Sequence, residues 1–361
     1  MTQSTIQSVE ATPIAIPLTK PIASSLGVYS HATGVAVTVR TVDGPDGFGF
    51  NLGLGGSPSR ALAAYIEDEL APLAIGQDAL AVEALWARMW SPNKPRVRAG
   101  LGAWALSAID VAVWDIVGKT AGLPVHTLLG GASTEVPVYG SGGWLSLTDH
   151  ELVSEAQAFA SRGINQYKYK IGTSRDEERT ALLRRELGDD FTLYADANQR
   201  FRVHEAIEAA YMLDGYGVAW LEEPVLADAT SDLKAVAEAS PVPIATGENV
   251  SFRWGFREIC EQQGAAYLQP DVVRCGGFTE FRKIADLADA HNLAVTSHLW
   301  HELSVSAVGA SPAGVLVEFA ELIPADVFTR DFSPVGGAIR VIDVPGHGVE
   351  IAAETMARYR V

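Results

Sequence analysis

The 361-residue sequence has little cysteine, little positive charge and no long apolar run, and each shortage excludes a class of protein. Cys260 and Cys275 are the only cysteines, too few for a disulfide framework and without a metal-binding spacing, which fits a reducing compartment. The formal net charge of −17 argues against nucleic-acid or anionic-membrane partners, because both repel an acidic protein. Met1 to Lys20 lacks the pattern of a signal peptide, and no stretch approaches the ~18 apolar residues of a membrane span. These absences predict a cytoplasmic protein.

The first part of the chain combines strand and helix patterns. From Ile6 to about Phe50 the sequence is strand-like, with a β-branched run at 35–39 and a turn at 43–47. Helical patterns follow at 59–71 and 101–119, and the second is apolar on nearly all sides, Trp104 included, so we expect it to be buried. Residues 1–130 are therefore predicted to form an α+β unit. The tail from about Pro324 returns to β character and is expected to pack against it.

After Pro137, short apolar strands alternate with helical segments, a pattern typical of βαβ units in a parallel sheet. Helical segments are predicted at 203–214 and 276–291, among others. The predicted strands are Gln166–Ile171, Thr192–Asp196, Ala219–Glu222, Ile244–Glu248, Tyr267–Pro270 and Ala294–Ser297.

Three carboxylates follow these strands at a nearly constant step. Asp196, Glu222 and Glu248 are separated by 26 residues each, about the length of one βα unit, so they belong on one rim of a barrel, where the strands end. Converging carboxylates repel each other unless a cation neutralises them, and an all-oxygen ligand set suits Mg²⁺. Any one of them alone is more simply a solvated loop acid. The shared register favours a metal site.

Further polar residues continue the same register. Lys168 and Lys170 alternate in one strand and therefore share a face, although lysines on an edge strand would show the same pattern. Near a metal and a second ammonium group, Lys170 is expected to lose its proton more readily and act as a base. Asp271 and His298 end the next two strands, where the carboxylate can orient the imidazole. Glu318 ends the following one. The run at 298–302 lacks the spacing of the known zinc motifs.

The ordered motifs resemble the enolase superfamily, and within it the mandelate racemase group, over nearly the whole chain. The motifs are Lys168-x-Lys170, Asp196-x-Asn198, Glu222-Glu223-Pro224, Gly247-Glu248-Asn249, Gln269-Pro270-Asp271, Ser297-His298 and Glu318, with Ala108-Ile109-Asp110 and Trp114-Asp115 before them. The resemblance implies a modified TIM barrel, (β/α)7β, formed by residues 131–324. It also implies an α+β capping domain made of residues 1–130 and the tail of about 325–361.

The resemblance also implies roles for the site residues. Asp196, Glu222 and Glu248 would bind Mg²⁺, and Lys168 would contact the substrate carboxylate. Lys170 and the Asp271–His298 pair would be bases on opposite faces of the substrate. A protonated Glu318 would hydrogen-bond the other carboxylate oxygen. Ser141 and Asn198 match substrate-contacting positions, and the group suggests an even homo-oligomer.

The predicted chemistry is removal of the proton next to a small-molecule carboxylate, giving an enediolate. The loop at 21–34 is expected to select the substrate. Its serine, threonine, tyrosine and histidine side chains suit a sugar acid better than an aryl group. An acid-sugar dehydratase or cycloisomerase is therefore favoured over a racemase or epimerase of a 2-hydroxy acid. A non-catalytic acid-binding barrel remains the alternative of another class.

Overall fold

The N-terminal sheet is a three-stranded antiparallel meander in the computed structural model, which describes residues 4–54 and 58–361. Its strands are β1 (Ile6–Ser24), β2 (Gly27–Thr41) and β3 (Gly47–Leu54). β1 and β2 pair from Ile6 opposite Thr41 to Ser24 opposite Gly27, with a register shift after Pro17. The long hairpin therefore carries its turn, residues 24–27, far from the rest of the sheet. The strand-like pattern predicted for this region is confirmed.

The helix predicted at 59–71 is interrupted. The chain forms α1 (Ser59–Tyr65), a π-helical turn (Ile66–Leu70) and α2 (Ala71–Ala74). Pro72 lies in the first turn of α2 and has no N–H to donate, so a continuous α-helix would lose a hydrogen bond there. The π turn changes the hydrogen-bond register just before the proline. α3 (Val82–Trp90) follows.

The helix α4 (Leu101–Ala121) is the central element of this unit. By length and composition alone, this helix is long and apolar enough to cross a membrane. The prediction that no stretch approaches a membrane span is therefore wrong for α4. However, 83% of its apolar window is buried inside the protein, as in a core helix. It ends at Gly122, whose φ of +67° is the left-handed conformation that glycine adopts freely.

The second unit is a barrel of eight parallel strands. Each strand pairs with the next, and the eighth pairs with the first, which closes the sheet. The strands are β4 (Glu135–Ser141), β5 (Gln166–Lys170), β6 (Thr192–Asp196), β7 (Trp220–Glu222), β8 (Ile244–Thr246), β9 (Tyr267–Leu268), β10 (Ala294–Thr296) and β11 (Gly314–Phe319). The (β/α)7β barrel and the α+β cap predicted from the sequence are confirmed.

Helices connect the strands and cover the outside of the barrel. α5 (Val125–Leu129) precedes β4. The connecting helices are α6 (Asp149–Ser161), α7 (Asp176–Leu187), α8 (Val203–Asp214), α9 (Thr230–Ala239), α10 (Phe252–Gln262), α11 (Gly277–Ala290) and α12 (His301–Val308). Since every connection runs from the end of one strand to the start of the next, the carboxyl ends of all eight strands meet on one side. We call that side the rim.

The C-terminal tail contacts both units. Its strand β12 (Ala338–Arg340) pairs antiparallel with β4 of the barrel, so the tail does not join only the N-terminal unit. The helix α13 (Ala353–Tyr359) packs on β1, and the backbone N–H of Val361 donates to the carbonyl of Pro13 over 3.1 Å. The expected packing of the tail is therefore present, together with an added strand on the barrel.

A buried contact fixes the cap helix α4 against α11, close to the rim. The Asp110 carboxylate accepts hydrogen bonds from the Thr279 backbone N–H at 3.0 Å and from its hydroxyl at 2.6 Å. Burial raises the pKa of Asp110 to about 7. Gly277 has a φ of +82°, and a Cβ there would lie 2.2 Å from the same carboxylate. This glycine allows the cap to approach the strand-end loop that carries Asp271.

Candidate active site

Three carboxylates form one group at the rim. Asp196, Glu222 and Glu248 end or follow three neighbouring strands, β6 to β8, and one ligand atom from each lies within 4.8 Å of the other two. Their exposures are 0%, 1% and 7%. Among residues 4–54 and 58–361, this is the group of acids, histidines or cysteines that is close enough to share an ion. All three predicted metal ligands are therefore brought together.

Amide groups orient these carboxylates. Gln269 donates to Glu222 over 2.8 Å, and Asn249 donates to Glu248 over 3.1 Å. The backbone N–H of Asn198 donates to Asp196 over 2.8 Å. Oxygen ligands fixed by outer hydrogen bonds, with no sulfur or imidazole among them, are the set that a hard cation such as Mg²⁺ prefers. The residues present therefore fit the predicted ion.

Burial and neighbouring carboxylates raise the pKa values of two glutamates at the rim. Burial raises the pKa of Glu222 to about 8, with Asp196 and Glu318 adding to the effect against the opposing Lys168. Burial also raises the pKa of the neighbouring Glu223 well above its usual value. A proton therefore stabilises Glu222 and Glu223 when no divalent cation does, whereas at Asp196 burial is outweighed by Lys170 and Lys168, which lower the pKa of that carboxylate.

Lys168 lies among the carboxylates. Its ammonium group is 2.6 Å from Glu222, 2.8 Å from Glu318 and 3.7 Å from Asp196. Burial alone would lower the pKa of Lys168, but Glu222 and Glu318 outweigh burial and raise it well above the usual value. The side chain is a fixed cation, suited to holding a carboxylate.

The surroundings of Glu318 favour its ionised form. Burial alone would raise its pKa, but Lys168 outweighs burial and lowers the pKa to about 2. The carboxylate also accepts a hydrogen bond from the backbone N–H of Leu299 over 2.7 Å. The two donors therefore favour the ionised form of Glu318 in this arrangement, and the protonated form implied by the resemblance stays a prediction.

Lys170 contacts Asp196 directly and lies 5.0 Å from the ring centre of Trp144. Burial alone would lower the pKa of Lys170, but Asp196 outweighs burial and raises it. The lowered pKa expected from the sequence is therefore not found in this arrangement, since the carboxylate is free to pair with the ammonium group. If Asp196 bound a divalent cation, it would no longer offer its full charge to Lys170.

The predicted pairing of His298 and Asp271 is present. The Nδ1 atom of His298 lies 2.7 Å from Asp271, while Nε2 lies 3.2 Å from Glu248. Burial alone would lower the pKa of His298, but Glu248 and the hydrogen bond with Asp271 outweigh burial and raise it. Asp271 fixes the ring and leaves Nε2 directed at the metal-binding carboxylates, as a base next to that site requires.

A cavity of about 220 Å³ opens above these groups, and we call it the site cavity. Its walls include Lys170, His298, Glu248, Glu318 and Asn198, and the β1–β2 hairpin of the cap contributes Ser24, Leu26 and Tyr29. The cap hairpin is anchored by the Ser25 hydroxyl, which donates to the carbonyl of Ala197 over 3.0 Å. Part of the 21–34 loop therefore borders the site cavity, and its role in selecting the substrate stays a prediction.

Some predicted residues lie away from the site cavity. Ser141 is paired with Lys168 in the sheet, but it lines a separate cavity of about 80 Å³. Ser30 and His31 bond each other over 2.9 Å on an exposed part of the hairpin. His301 and Glu302 approach to 3.4 Å and line a different surface cavity. Ser141 was predicted to contact the substrate, and Ser30 and His31 belong to the loop expected to select it, but none of the three lines the site cavity.

Sequence reasoning missed several residues of the site. Trp104 was placed in the buried face of its helix, yet it is half-buried and lines the site cavity with Arg274 and Trp144. Gln269 and Asn249 appeared only as letters within motifs. Their position directly beside a strand-end carboxylate was the available signal, because side chains there are within hydrogen-bonding reach of the ligands.

Comparison with known proteins agrees with this geometry. Residues 7–130 match the model of the mandelate racemase / muconate lactonizing enzyme N-terminal domain, and residues 151–355 match that of the enolase C-terminal domain-like family. A 3,6-anhydro-alpha-L-galactonate cycloisomerase from Streptomyces coelicolor is 33% identical over 352 residues, which are 96% of this chain and 97% of that protein.

Solved structures are also similar over the full length. A racemase from Streptomyces coelicolor A3(2) with bound magnesium has a TM-score of 0.94 and 31% identity, over 99% of this chain and 100% of that one. An L-talarate dehydratase from Polaromonas sp. JS666, complexed with Mg and L-glucarate, has a TM-score of 0.91 and 29% identity, over 99% and 98%. The chain belongs to the mandelate racemase and muconate lactonizing enzyme family of the enolase superfamily.

Proposed function

We propose that this enzyme removes the α-proton of an acid sugar in a magnesium-dependent reaction and then expels an oxygen from the β-carbon. If the leaving oxygen is a free hydroxyl, the reaction is a dehydration. If it is a ring oxygen, the ring opens and the reaction is a cycloisomerisation. The observation that carries the proposal is the site cavity, where two bases, Lys170 and His298, flank a buried group of three carboxylates.

Removal of a proton next to a carboxylate places a second negative charge on that carboxylate. Asp196, Glu222 and Glu248 would hold Mg²⁺, which supplies positive charge where the enediolate oxygens gain negative charge. Lys168 is buried beside the same position and adds a fixed ammonium group. These charges lower the barrier because they stabilise the transition state more than the ground state.

Polar groups in the site cavity support a hydroxylated substrate. Ser24, Tyr29, Asn198 and Asn249 offer hydrogen bonds from the cap and the rim, and Asn198 has a buried carbonyl oxygen without a partner among the described residues. The similar proteins named above act on a sugar-derived acid or bind L-glucarate. Both lines of support favour an acid sugar over an aryl acid.

Racemisation or epimerisation is the second candidate. Lys170 ends the second barrel strand and His298 follows the seventh, so the two bases approach the site cavity from different walls. A racemase needs one base on each face of the α-carbon. A non-catalytic acid-binding barrel has no need for either base, and it would not exchange substrate protons with solvent.

The first experiment is a screen in heavy water. A panel of acid sugars and 2-hydroxy acids is incubated with the enzyme and Mg²⁺, and proton NMR follows loss of the α-proton signal and appearance of products. The proposal expects exchange with at least one acid sugar, together with a 2-keto-3-deoxy product. Inversion without elimination would instead support the racemase. No exchange with any acid would contradict both candidates.

The second experiment separates the two bases. His298→Asn is expected to abolish exchange of one configuration of the α-proton and keep the other, and Lys170→Ala is expected to do the reverse. His204 and Lys234 are exposed and lie away from the site, so His204→Asn and Lys234→Ala are the matched controls. If both site variants lost exchange of the same isomer only, the two-faced arrangement would be wrong.

A further inference from the structure

Arg274 forms the wall of the site cavity opposite Lys170. Lys170 ends β5, the second strand of the barrel, and Arg274 lies just after β9, the sixth. In a closed barrel of eight strands these two positions lie across the axis from each other. Both side chains line the cavity, each beside a tryptophan: Trp144 next to Lys170 and Trp104 next to Arg274. The cavity therefore has a cation on each of two facing walls.

The guanidinium group of Arg274 has no close hydrogen-bond partner among the described residues. Its nearest acceptors are Asp271 at 3.4 Å, Asn249 at 3.5 Å and Glu248 at 3.6 Å. These distances exceed the usual length of such bonds, and the Asp271 oxygen already lies closer to His298, at 2.7 Å from Nδ1. With only 11% of the side chain exposed, solvent cannot fully satisfy these donors. The group is placed to receive an oxygen anion from the cavity.

We infer that Arg274 binds the distal carboxylate of a dicarboxylic acid sugar. This inference rests on the proposed function, because the proximal carboxylate must occupy the metal side of the site cavity near Lys168. A planar guanidinium group matches a carboxylate with two parallel hydrogen bonds, whereas a terminal hydroxymethyl group accepts at most weaker ones. A cavity of about 220 Å³ is below the usual range for drug-sized ligands and suits a compact sugar acid.

Arg274 also lies near Asp271, so a purely positioning role must be separated from substrate binding. If the guanidinium group only held Asp271 in place, its removal would weaken His298 for every substrate alike. If it binds the distal carboxylate, its removal harms the diacid and spares the monoacid. The decisive quantity is therefore the ratio of kcat/KM for the two acids, measured with one enzyme preparation.

The test uses matched pairs of an aldaric acid and the aldonic acid of the same configuration, which differ only in the terminal carboxylate. The wild-type enzyme is expected to favour the aldaric acid. Arg274→Met should lower the ratio by about 10- to 100-fold, as loss of a hydrogen bond to a charged group does, and Arg274→Lys should lower it less. Arg282→Met, an exposed arginine paired with Glu83, should leave the ratio unchanged.

An equal loss for both acids in Arg274→Met, or a wild-type preference for the aldonic acid, would overturn the inference. The wild-type preference needs no variant, so the test stands even if one substitution prevents folding. If the enzyme exchanged the α-protons of both acids and the ratio of their kcat/KM values were the same in Arg274→Met and wild type, the role of Arg274 would be overturned and the proposed function kept. Absence of exchange in every pair would overturn both.

Discussion

The substitution Lys168→Met tests how much the buried ion pairs of Lys168 contribute to the free energy of unfolding. Methionine keeps the length and most of the volume of the side chain and removes only the ammonium group. In the folded protein that group is 1% exposed and lies 2.6 Å from Glu222 and 2.8 Å from Glu318. The variant therefore leaves buried carboxylates without their cation while changing little else.

The expected loss follows from the burial of the pair. Removing one partner of a buried ion pair costs about 3–5 kcal/mol in the free energy of unfolding, because the other charge stays buried and unpaired. Lys234→Met is the matched control. Lys234 lies 3.7 Å from Glu238 one helical turn away and is 47% exposed, and such pairs contribute about 0.3–0.5 kcal/mol.

The difference between Lys168→Met and wild type should depend on pH. Lys168 holds the pKa of Glu318 at about 2, below its unfolded value, so the stability gained from this pair is present above pH 4.5 and disappears as pH falls towards 2. In the variant, burial raises the pKa of Glu318, and the protonated acid is tolerated at low pH. The two proteins should therefore become more similar in stability as pH falls below 4.5.

Urea unfolding with a chelator present measures these differences, and a second series with Mg²⁺ measures the effect of the ion. Mg²⁺ is expected to stabilise Lys168→Met more than wild type, since the ion no longer competes with an ammonium group for Glu222. If Lys168→Met and Lys234→Met lost the same free energy of unfolding in the chelator series, the reasoning would be refuted.

Two further predictions concern activity. Glu222→Gln should weaken Mg²⁺ binding, measured by calorimetry, and lower kcat by orders of magnitude. The fold should be kept, because the lost ligand lies at the rim and not in the core. Full wild-type activity after exhaustive chelation would contradict this prediction. Asp271→Asn should lower the pKa of His298, because a neutral amide stabilises the imidazolium less well. The exchange that depends on His298 should then rise at lower pH and reach a smaller maximal rate. An unchanged pH profile would mean that the two side chains are not coupled.

The regular parts of the barrel were accessible from the sequence. The strand Thr192–Asp196 and the helix 203–214 were predicted with the bounds that the structure has, because apolar runs and helical periodicity are strong there. The predicted strands before Glu248 and at 267–270 extend two residues too far. Residues at the rim leave the strand conformation, with φ values of +38° at Glu223 and +43° at Leu299. Strand propensity does not predict where this change of backbone conformation occurs.

Other features depend on tertiary contacts and had no local signal. Trp104 belongs to a helix that is apolar on nearly all sides, and only the position of the cap over the barrel places this tryptophan beside Arg274. The ionised state of Glu318 depends on Lys168, which comes from the opposite end of the barrel sequence. The domain boundaries, the roles of single site residues, the homo-oligomer and the cytoplasmic location stay predictions.

The arrangement of the rim links metal binding to base strength. Each carboxylate of the metal-binding group contacts a nitrogen of the proposed machinery: Asp196 contacts Lys170, Glu222 contacts Lys168, and Glu248 contacts His298. These contacts raise the pKa of Lys170 and of His298 and so favour the protonated form of each. When the carboxylates bind a divalent cation, they offer less charge to the nitrogens, and both groups release protons more readily. The side chains that would bind the ion are thus also those that would decide whether Lys170 and His298 are able to accept a proton from the substrate.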